Sequence, residues 1–208
     1  MGGGLLAWFL PPAFGRGDPR HPLRGTTLPG MTVLGTDVWP PAPIRTERLV
    51  LREAEARDRA AVIEINASPE VGTYVGGPRP RAELERVVPE VPGRRPGFFV
   101  AELDGAAIGT VELNAQSPDS PAERLAAGDT HLGYLFLPEA WGHGYAGEAC
   151  AAALDWFSGA RPGEPVVLYT QTANVRSMRL AAKLGFTERE RFEAYGAEQW
   201  FGVRSPNR

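Results

Sequence analysis

The stretch from Gly133 to Phe157 constrains this chain more than any other. It reads Gly-Tyr-Leu-Phe-Leu-Pro-Glu-Ala-Trp-Gly-His-Gly-Tyr-Ala-Gly-Glu-Ala-Cys-Ala-Ala-Ala-Leu-Asp-Trp-Phe. Gly133 to Leu137 reads as an apolar strand, and Pro138 stops it because proline has no N–H for a ladder. A glycine-rich turn, Trp141 to Gly147, leads straight into a helix. Ala149, Ala152, Ala153, Trp156 and Phe157 recur at helical spacing on one face of that helix. Strand, glycine turn and helix start together suit an anion: N–H groups of the first turn point outward, and the helix dipole favours negative charge. Gly142, Gly144 and Gly147 are expected to permit close approach and to adopt positive φ.

No Lys-Ser/Thr follows the glycines, which excludes an NTP-binding P-loop. Gly142-x-Gly144-x-x-Gly147 has the spacing of the dinucleotide fingerprint. That fingerprint belongs to a first βα unit with an acidic residue about 20 positions on. Here it sits late in the chain, and Pro162-Gly163-Glu164-Pro165 follows the helix.

These residues resemble the GNAT acyltransferases, and within them the branch of ribosomal-protein alanine N-acetyltransferases. That branch often carries Gly-Tyr, a short apolar strand, Pro-Glu, then Trp-Gly-x-Gly-Tyr-Ala-x-Glu-Ala. The chain has Gly133-Tyr134, Pro138-Glu139 and Trp141 to Ala149 in that pattern. Against the broader motif Gln/Arg-x-x-Gly-x-Gly/Ala, Trp141 replaces the first residue while Gly144 and Ala146 match. A second block follows after the expected strand: Asn174-Val175-Arg176-Ser177, then Leu180, Lys183 and Leu184-Gly185-Phe186. The resemblance covers roughly Ile44 to Val203 and implies one acetyltransferase domain.

Composition bounds the remainder. The 208 residues suffice for one core-bearing domain plus a tail, and 43% are hydrophobic. A net charge of −3 gives no overall basic field for nucleic acid. One cysteine, Cys150, excludes a disulfide framework, and its place in the amphipathic helix favours a small buried hydrophobe. No apolar run is long enough to span a bilayer, so a cytoplasmic location is expected. Residues 1 to 43 are rich in Gly and Pro without sustained period and are expected to form a disordered extension, with Met31 as an alternative start. Residues 44 to 208 then form the domain.

Along that domain, Thr46 to Arg52 alternates as a first strand, and Ala56 to Ala67 is a helix ended by Ser68-Pro69. Glu70 to Gly97 has no strong pattern beyond a helical piece near Arg81 to Val88, which suits a substrate-specific loop. Phe98 to Leu103 and Ala106 to Asn114 form a hairpin about Asp104-Gly105. Asn114 to Asp129 reads as loop. His131 to Leu137 and Pro165 to Gln171 are strands, and Asn174 to Leu184 is a helix. Gly185 is a C′ stop with Phe186 folding back. Glu188 to Glu193 and Gln199 to Val203 close as an antiparallel pair. The order β-α-(α)-β-β-β-α-β-α-β-β gives an α/β (α+β) fold, a mixed, largely antiparallel sheet flanked by helices. The resemblance adds a splayed central strand pair.

The resemblance implies acetyl-coenzyme A as cosubstrate, no metal, and an amine acceptor. Its pyrophosphate is expected on the turn Trp141, Gly142, His143, Gly144, Tyr145, Ala146 and Gly147. Backbone groups of Leu135, Phe136 and Leu137 would pair with the pantetheine arm as an added strand, and an amide near Phe136 or Leu137 would face the acyl oxyanion. Asn174 is a good N-cap with Ser177 at N3, and the resemblance adds contact between the Asn174 side chain and pantetheine. Many relatives place a proton-donating tyrosine seven residues after that asparagine. Here the position is Ala181, which leaves Ser177 as the nearest candidate acid. Glu112, opposite in face to Val111 and Leu113, is one candidate base and His131 another; an N3 serine and a solvated strand-end histidine are the plainer readings. Glu148, in the first helical turn, reads as structural. The expected activity is direct acetyl transfer to a primary amine, such as a protein N-terminal α-amine. Alternatives are a small-molecule amine (an antibiotic or polyamine) or a non-catalytic coenzyme A-binding regulatory module. Either a monomer or a homodimer fits.

Overall fold

The computed structural model describes residues 39–115 and 130–206. Its first element is a hairpin where a single strand was expected. β1 (Ile44–Arg45) and β2 (Val50–Arg52) pair antiparallel, Ile44 opposite Leu51. Thr46 turns the chain between them: its hydroxyl accepts from Leu49 N–H (2.9 Å), and its own N–H donates to Leu49 O (2.9 Å). Residues 56–58 form a 3-10 turn that runs into α1 (Arg59–Ala67). Buried Arg52 fastens this corner, forking onto Asp58 (2.7 and 2.8 Å) and reaching Glu102 (2.6 Å). Ser68 ends α1, and its hydroxyl also caps α2 (Pro69–Gly72) by accepting from Val71 N–H. The expected helical piece near Arg81 is α3 (Arg81–Val87).

β3 (Phe98–Leu103) and β4 (Ala106–Ala115) form the expected hairpin. Asp104 and Gly105 both have positive φ, 49° and 84°, as a two-residue turn of this hand requires. The loop expected over Asn114 to Asp129 does not begin at Asn114, because β4 runs through Ala115; residues 116–129 lie outside the described residues. β5 (Thr130–Phe136) returns antiparallel to β4. A 3-10 turn at Pro138–Ala140 leads to α4 (Tyr145–Ala160), then β6 (Val166–Gln171) and α5 (Val175–Lys183). α5 ends in a Schellman motif: Gly185 at φ 83° donates to Ala182 O, and Phe186 donates to Ala181 O. β7 (Thr187–Ala194) and β8 (Ala197–Arg204) close the chain.

The strands form one eight-stranded sheet in the order β1-β2-β3-β4-β5-β6-β8-β7. Among the described residues only β5 and β6 pair in parallel. Period-two alternation sends each strand's side chains to two cores. Val111, Leu113, Leu132 and Phe136 pack with Ala149, Cys150, Ala153 and Phe157 under α4 and α5. On the opposite face Leu135 meets Ile65 of α1 and Val71 of α2. Packing begins before residue 44. Trp39 stands edge-on to Phe99 (4.8 Å between ring centres) and Trp156 (5.8 Å), and its indole N–H donates to Glu53.

Candidate active site

The glycine turn before α4 has the expected shape with one change. Gly142 and Gly144 lie at φ 83° and 85°, and Gly144 is the N-cap of α4 in the left-handed region. Gly147 is helical; a Cβ there would come within 3.4 Å of Leu180. That is an ordinary van der Waals distance, so neither positive φ nor crowding requires glycine here. Glu148 N–H makes the first intrahelical bond, to Gly144 O (3.1 Å). The amides of Tyr145, Ala146 and Gly147 therefore precede the helical ladder. A Cβ on Gly142 would meet nothing within 4 Å, so that side of the turn is open.

A brace from the other end of the domain holds the turn. Arg48, in the β1–β2 connection, donates through Nη1 to His143 O (2.9 Å) and through Nε to Glu148 (2.8 Å), and its guanidinium covers the Tyr145 ring at 4.6 Å. Glu148 also accepts from Arg48 N–H (2.8 Å) and the Thr46 hydroxyl. Burial opposes ionisation of Glu148, but Thr46 and Arg48 outweigh it and hold the carboxyl below its ordinary range. The first-turn glutamate is thus structural, through specific partners in addition to the dipole.

Among the described residues, β5 and β6 are joined only at Thr130↔Val166 and His131↔Val167. Beyond that point they part, and a cavity of about 1290 Å³ occupies the opening. Leu137 N–H donates to Ile108 O (3.0 Å). In an antiparallel ladder, backbone groups alternate in direction every residue. Leu135 therefore also turns its N–H and C=O toward β4, while Tyr134 and Phe136 turn theirs into the opening. Phe136 O accepts from the Trp141 indole (2.8 Å). The edge expected at Leu135, Phe136 and Leu137 thus shifts to Tyr134 and Phe136, and Leu137 is committed elsewhere.

The two faces of the parted strands carry different chemistry. On the α1–α2 face lie Glu112, Asn114 and His131, all lining the cavity. Glu112 is only 3% exposed. Burial pushes its carboxyl up to about 7, against the pull of Arg95. Arg95 donates to Glu112 Oε1 through Nε (2.7 Å) and Nη2 (2.5 Å). His131 packs against Tyr169, its ring centre 4.7 Å away, and burial lowers its imidazole to about 3. It therefore stays neutral at physiological pH with little proton affinity, and it is a poor base beside Glu112.

On the α4–α5 face, Tyr134 and Ser177 share a hydrogen bond of 2.6 Å. Burial, with Cys150 adding to it, raises the Tyr134 phenol above its ordinary range, so the pair keeps its protons. Asn174 caps α5 as expected, accepting from Ser177 N–H (3.2 Å). Cys150 is fully buried, and burial raises its thiol well above the usual range.

Most of the residues singled out from sequence meet at this one cavity: Glu112, His131, Leu135, Phe136, Asn174, Ser177, and the turn from Trp141 to Gly147 except His143. His143 stacks on Tyr145 (5.5 Å) outside the lining, and Leu137 lies outside it too. Sequence reasoning passed over Tyr134, Arg48 and Arg95. Alternation from Leu132 to Phe136 was enough to place Tyr134 on the helix face; nothing local marked Arg95. Among the described residues no three His, Cys, Asp or Glu side chains are grouped to hold a metal ion, and no helix is long and apolar enough to cross a membrane.

A family model described as an acetyltransferase (GNAT) domain matches residues 48–187. The uncharacterized protein YkkB of Bacillus subtilis is 28% identical over 141 residues, 67% of this chain and 82% of YkkB. A GNAT-family acetyltransferase from Bacillus anthracis superposes with a TM-score of 0.66 at 21% identity, covering 79% of this chain and 99% of that one. Aminoglycoside acetyltransferase AAC(6′)-Ib in complex with coenzyme A gives 0.61 at 18% identity, covering 76% and 94%. RimL, a ribosomal-protein α-N-acetyltransferase in complex with coenzyme A, gives 0.60 at 14% identity, covering 79% and 98%.

Proposed function

Because the chain belongs to the GNAT acetyltransferase family, we propose that it transfers an acetyl group from acetyl-coenzyme A directly to a primary amine, with a protein N-terminal α-amine as the acceptor class. One observation carries the reading. A single cavity joins a glycine-built anion turn, a parted strand edge and a buried carboxylate.

The residues present fit the donor. The amides of Tyr145, Ala146 and Gly147 would hold the pyrophosphate at the α4 start, where Gly142 leaves the approach open. The Tyr134 and Phe136 edge of β5 would pair with the peptide-like arm. When bound, acetyl-coenzyme A supplies the activated acetyl group. Two structural neighbours hold coenzyme A, which supports the same donor here.

Glu112 takes the proton that the attacking amine releases, directly or through water. A carboxyl near 7 is matched to an α-amine of pKa about 8 more closely than to a lysine of about 10.4. Phe136 N–H, turned into the opening, holds the carbonyl oxygen as it gains charge. Ser177 gives its proton to the departing sulfur, the Tyr134 hydroxyl passes one to Ser177 in the same step and takes one from water, so both hydroxyls end protonated while Glu112 returns its proton to solvent. A C–N bond forms as the C–S bond breaks, with no bond to the protein.

The test is an acceptor panel with acetyl-coenzyme A: peptides with free N-terminal alanine or serine, aminoglycosides, polyamines and lysine, with products read by mass spectrometry. The expected result is an N-terminally acetylated peptide. Acetylation confined to small amines overturns the acceptor class. Coenzyme A binding with no acetyl transfer to any amine overturns the enzymatic reading.

A further inference from the structure

Glu112 lines the cavity, but its cationic partner does not. Arg95 comes from the segment between α3 and β3. Its N–H donates to Gly93 O (2.7 Å), its C=O accepts from Phe98 N–H (3.3 Å), and its guanidinium lies over the Phe98 ring at 5.2 Å. Phe98 is the β3 residue directly across from Glu112. The guanidinium therefore reaches Glu112 from behind, along β3, and its two bonds to Glu112 converge on Oε1.

We propose that Arg95 is a positioning residue for acetyl transfer: it fixes the Glu112 carboxylate from outside the cavity, by one oxygen, and keeps it ionised where the acceptor amine arrives. This rests on the reading of Glu112 as the base. The alternative is that Arg95 merely ties its loop to the sheet.

The surroundings make the two separable. Across β5 the residue facing Glu112 is Gly133, with His131 two positions away on the same face. From α1 comes apolar Ile65, and from α2 and the turn after it Glu70 and Tyr74 line the same cavity. Among these described neighbours, Arg95 is the cation in contact with Glu112, while His131 is held neutral. An opposite charge at contact moves a carboxyl pKa by about 1–3 units. With Arg95 gone, no cation among these neighbours offsets the burial that drives the Glu112 carboxyl toward its protonated form.

The experiment compares wild type, Arg95→Met, Arg95→Lys, Glu112→Gln and the double variant Arg95→Met/Glu112→Gln. The Glu112 carboxyl is followed by ¹³C NMR on glutamate-labelled protein. kcat/KM is measured from pH 6 to 9.5 with acetyl-coenzyme A and an alanine-terminated peptide, and melting confirms that each variant folds. Arg95→Met is expected to raise the Glu112 midpoint by at least about one unit. It should cut kcat/KM about tenfold or more at pH 7 and recover above pH 9, with Arg95→Lys restoring most of the loss. An unmoved midpoint, or a loss equal at every pH, overturns the proposal and leaves Arg95 a loop tie. Failure of the underlying reading looks different: Glu112→Gln would then keep the wild-type rate and pH profile, and the inference falls with it. Where Arg95→Met does not fold, Arg95→Gln, which can still bond Glu112 but carries no charge, gives the same readout: a raised Glu112 midpoint supports the proposal and an unmoved one overturns it.

Discussion

On the α4 side of the sheet, the glycine turn proposed to hold the anion is set by backbone: two glycines at positive φ and three amides ahead of the helical ladder, with Arg48 and Glu148 clamping the rear. On the α1 side, the proposed base depends on side chains: a buried carboxylate and one guanidinium that meet because β3 and β4 stand in register. Conformation encoded in glycine and helix geometry is local and tolerates change at neighbouring side chains. A tuned carboxylate depends on burial and on one distant partner. The donor half is therefore expected to fail by losing affinity, and the acceptor half by losing rate in a pH-dependent way.

The largest expected effect tests the acceptor half. Glu112→Gln should lower kcat/KM by about 10²–10⁴-fold while affinity for coenzyme A stays within a few-fold. The wild-type rate should climb from pH 6 to 8. A carboxyl raised to about 7 is protonated, and useless as a base, below that value. The glutamine variant should keep only the part of that climb that follows deprotonation of the amine itself, of pKa about 8. A drop in coenzyme A affinity matching the drop in rate would erase the distinction between the halves.

Next in size is the donor half. Gly144→Val places a β-branched side chain at φ 85°, with its Cβ 3.5 Å from Arg48 Nη2. Left-handed strain alone costs about 1–2 kcal/mol, roughly tenfold, and obstruction of the anion adds to it. Calorimetric titration should show coenzyme A affinity reduced by about 100-fold or more, with circular dichroism unchanged. Wild-type affinity in the folded variant would remove the anion turn from the donor site.

Ser177→Ala and Tyr134→Phe sharpen the comparison at the boundary of the halves. If the two hydroxyls act as one relay, each should slow the chemical step by a similar factor, at least about tenfold, with the double variant hardly worse. Losses that multiply would show independent roles. Arg48→Met should act more gently. Its effect is a donor KM raised about tenfold or less with kcat kept, because it shapes the turn without touching the acceptor side. The smallest effects belong to the chain start. Deleting residues 1–38 should leave melting and affinity unchanged. Deleting through Pro43 also removes Trp39 from Phe99 and Trp156, and should lower Tm by a few degrees, about 2–4 °C per kcal/mol lost.

Sequence reasoning succeeded where the deciding interactions are short in range. The Asp104-Gly105 turn, the Asn174 cap and the Gly185-Phe186 ending of α5 each lie within a few residues of the groups they satisfy. The same reasoning lost the β1–β2 hairpin because polar and apolar residues keep alternating through the bend. The turn is made instead by the Thr46 side chain bonding to Leu49. It read Ser68-Pro69 only as a stop, although serine before proline is also a helix start, and α2 follows. At the site, the shape of the turn before α4 was legible because glycine spacing reports backbone conformation. Glu112 was legible through alternation along β4. Arg95 was not, because 17 positions and a strand register separate it from its partner.

The two rungs that join β5 to β6 have a thermodynamic consequence. Among the described residues, strands β1 to β5 and strands β6 to β8 share ladder bonds only at Thr130↔Val166 and His131↔Val167, and the apolar core beneath α4 spans both groups. A ligand lying along the opening and on the turn would bond to one group, brace the other and bind the unfolded chain not at all. At 100 times its Kd such a ligand stabilises the native state by about 2.7 kcal/mol. Part of that stabilisation should show as slower amide exchange on both banks of the opening, along Tyr134 to Phe136 and along Leu168 to Gln171. The empty protein would then open in two steps and the loaded one in a single step, so that occupancy sets the size of the cooperative unit as well as its stability.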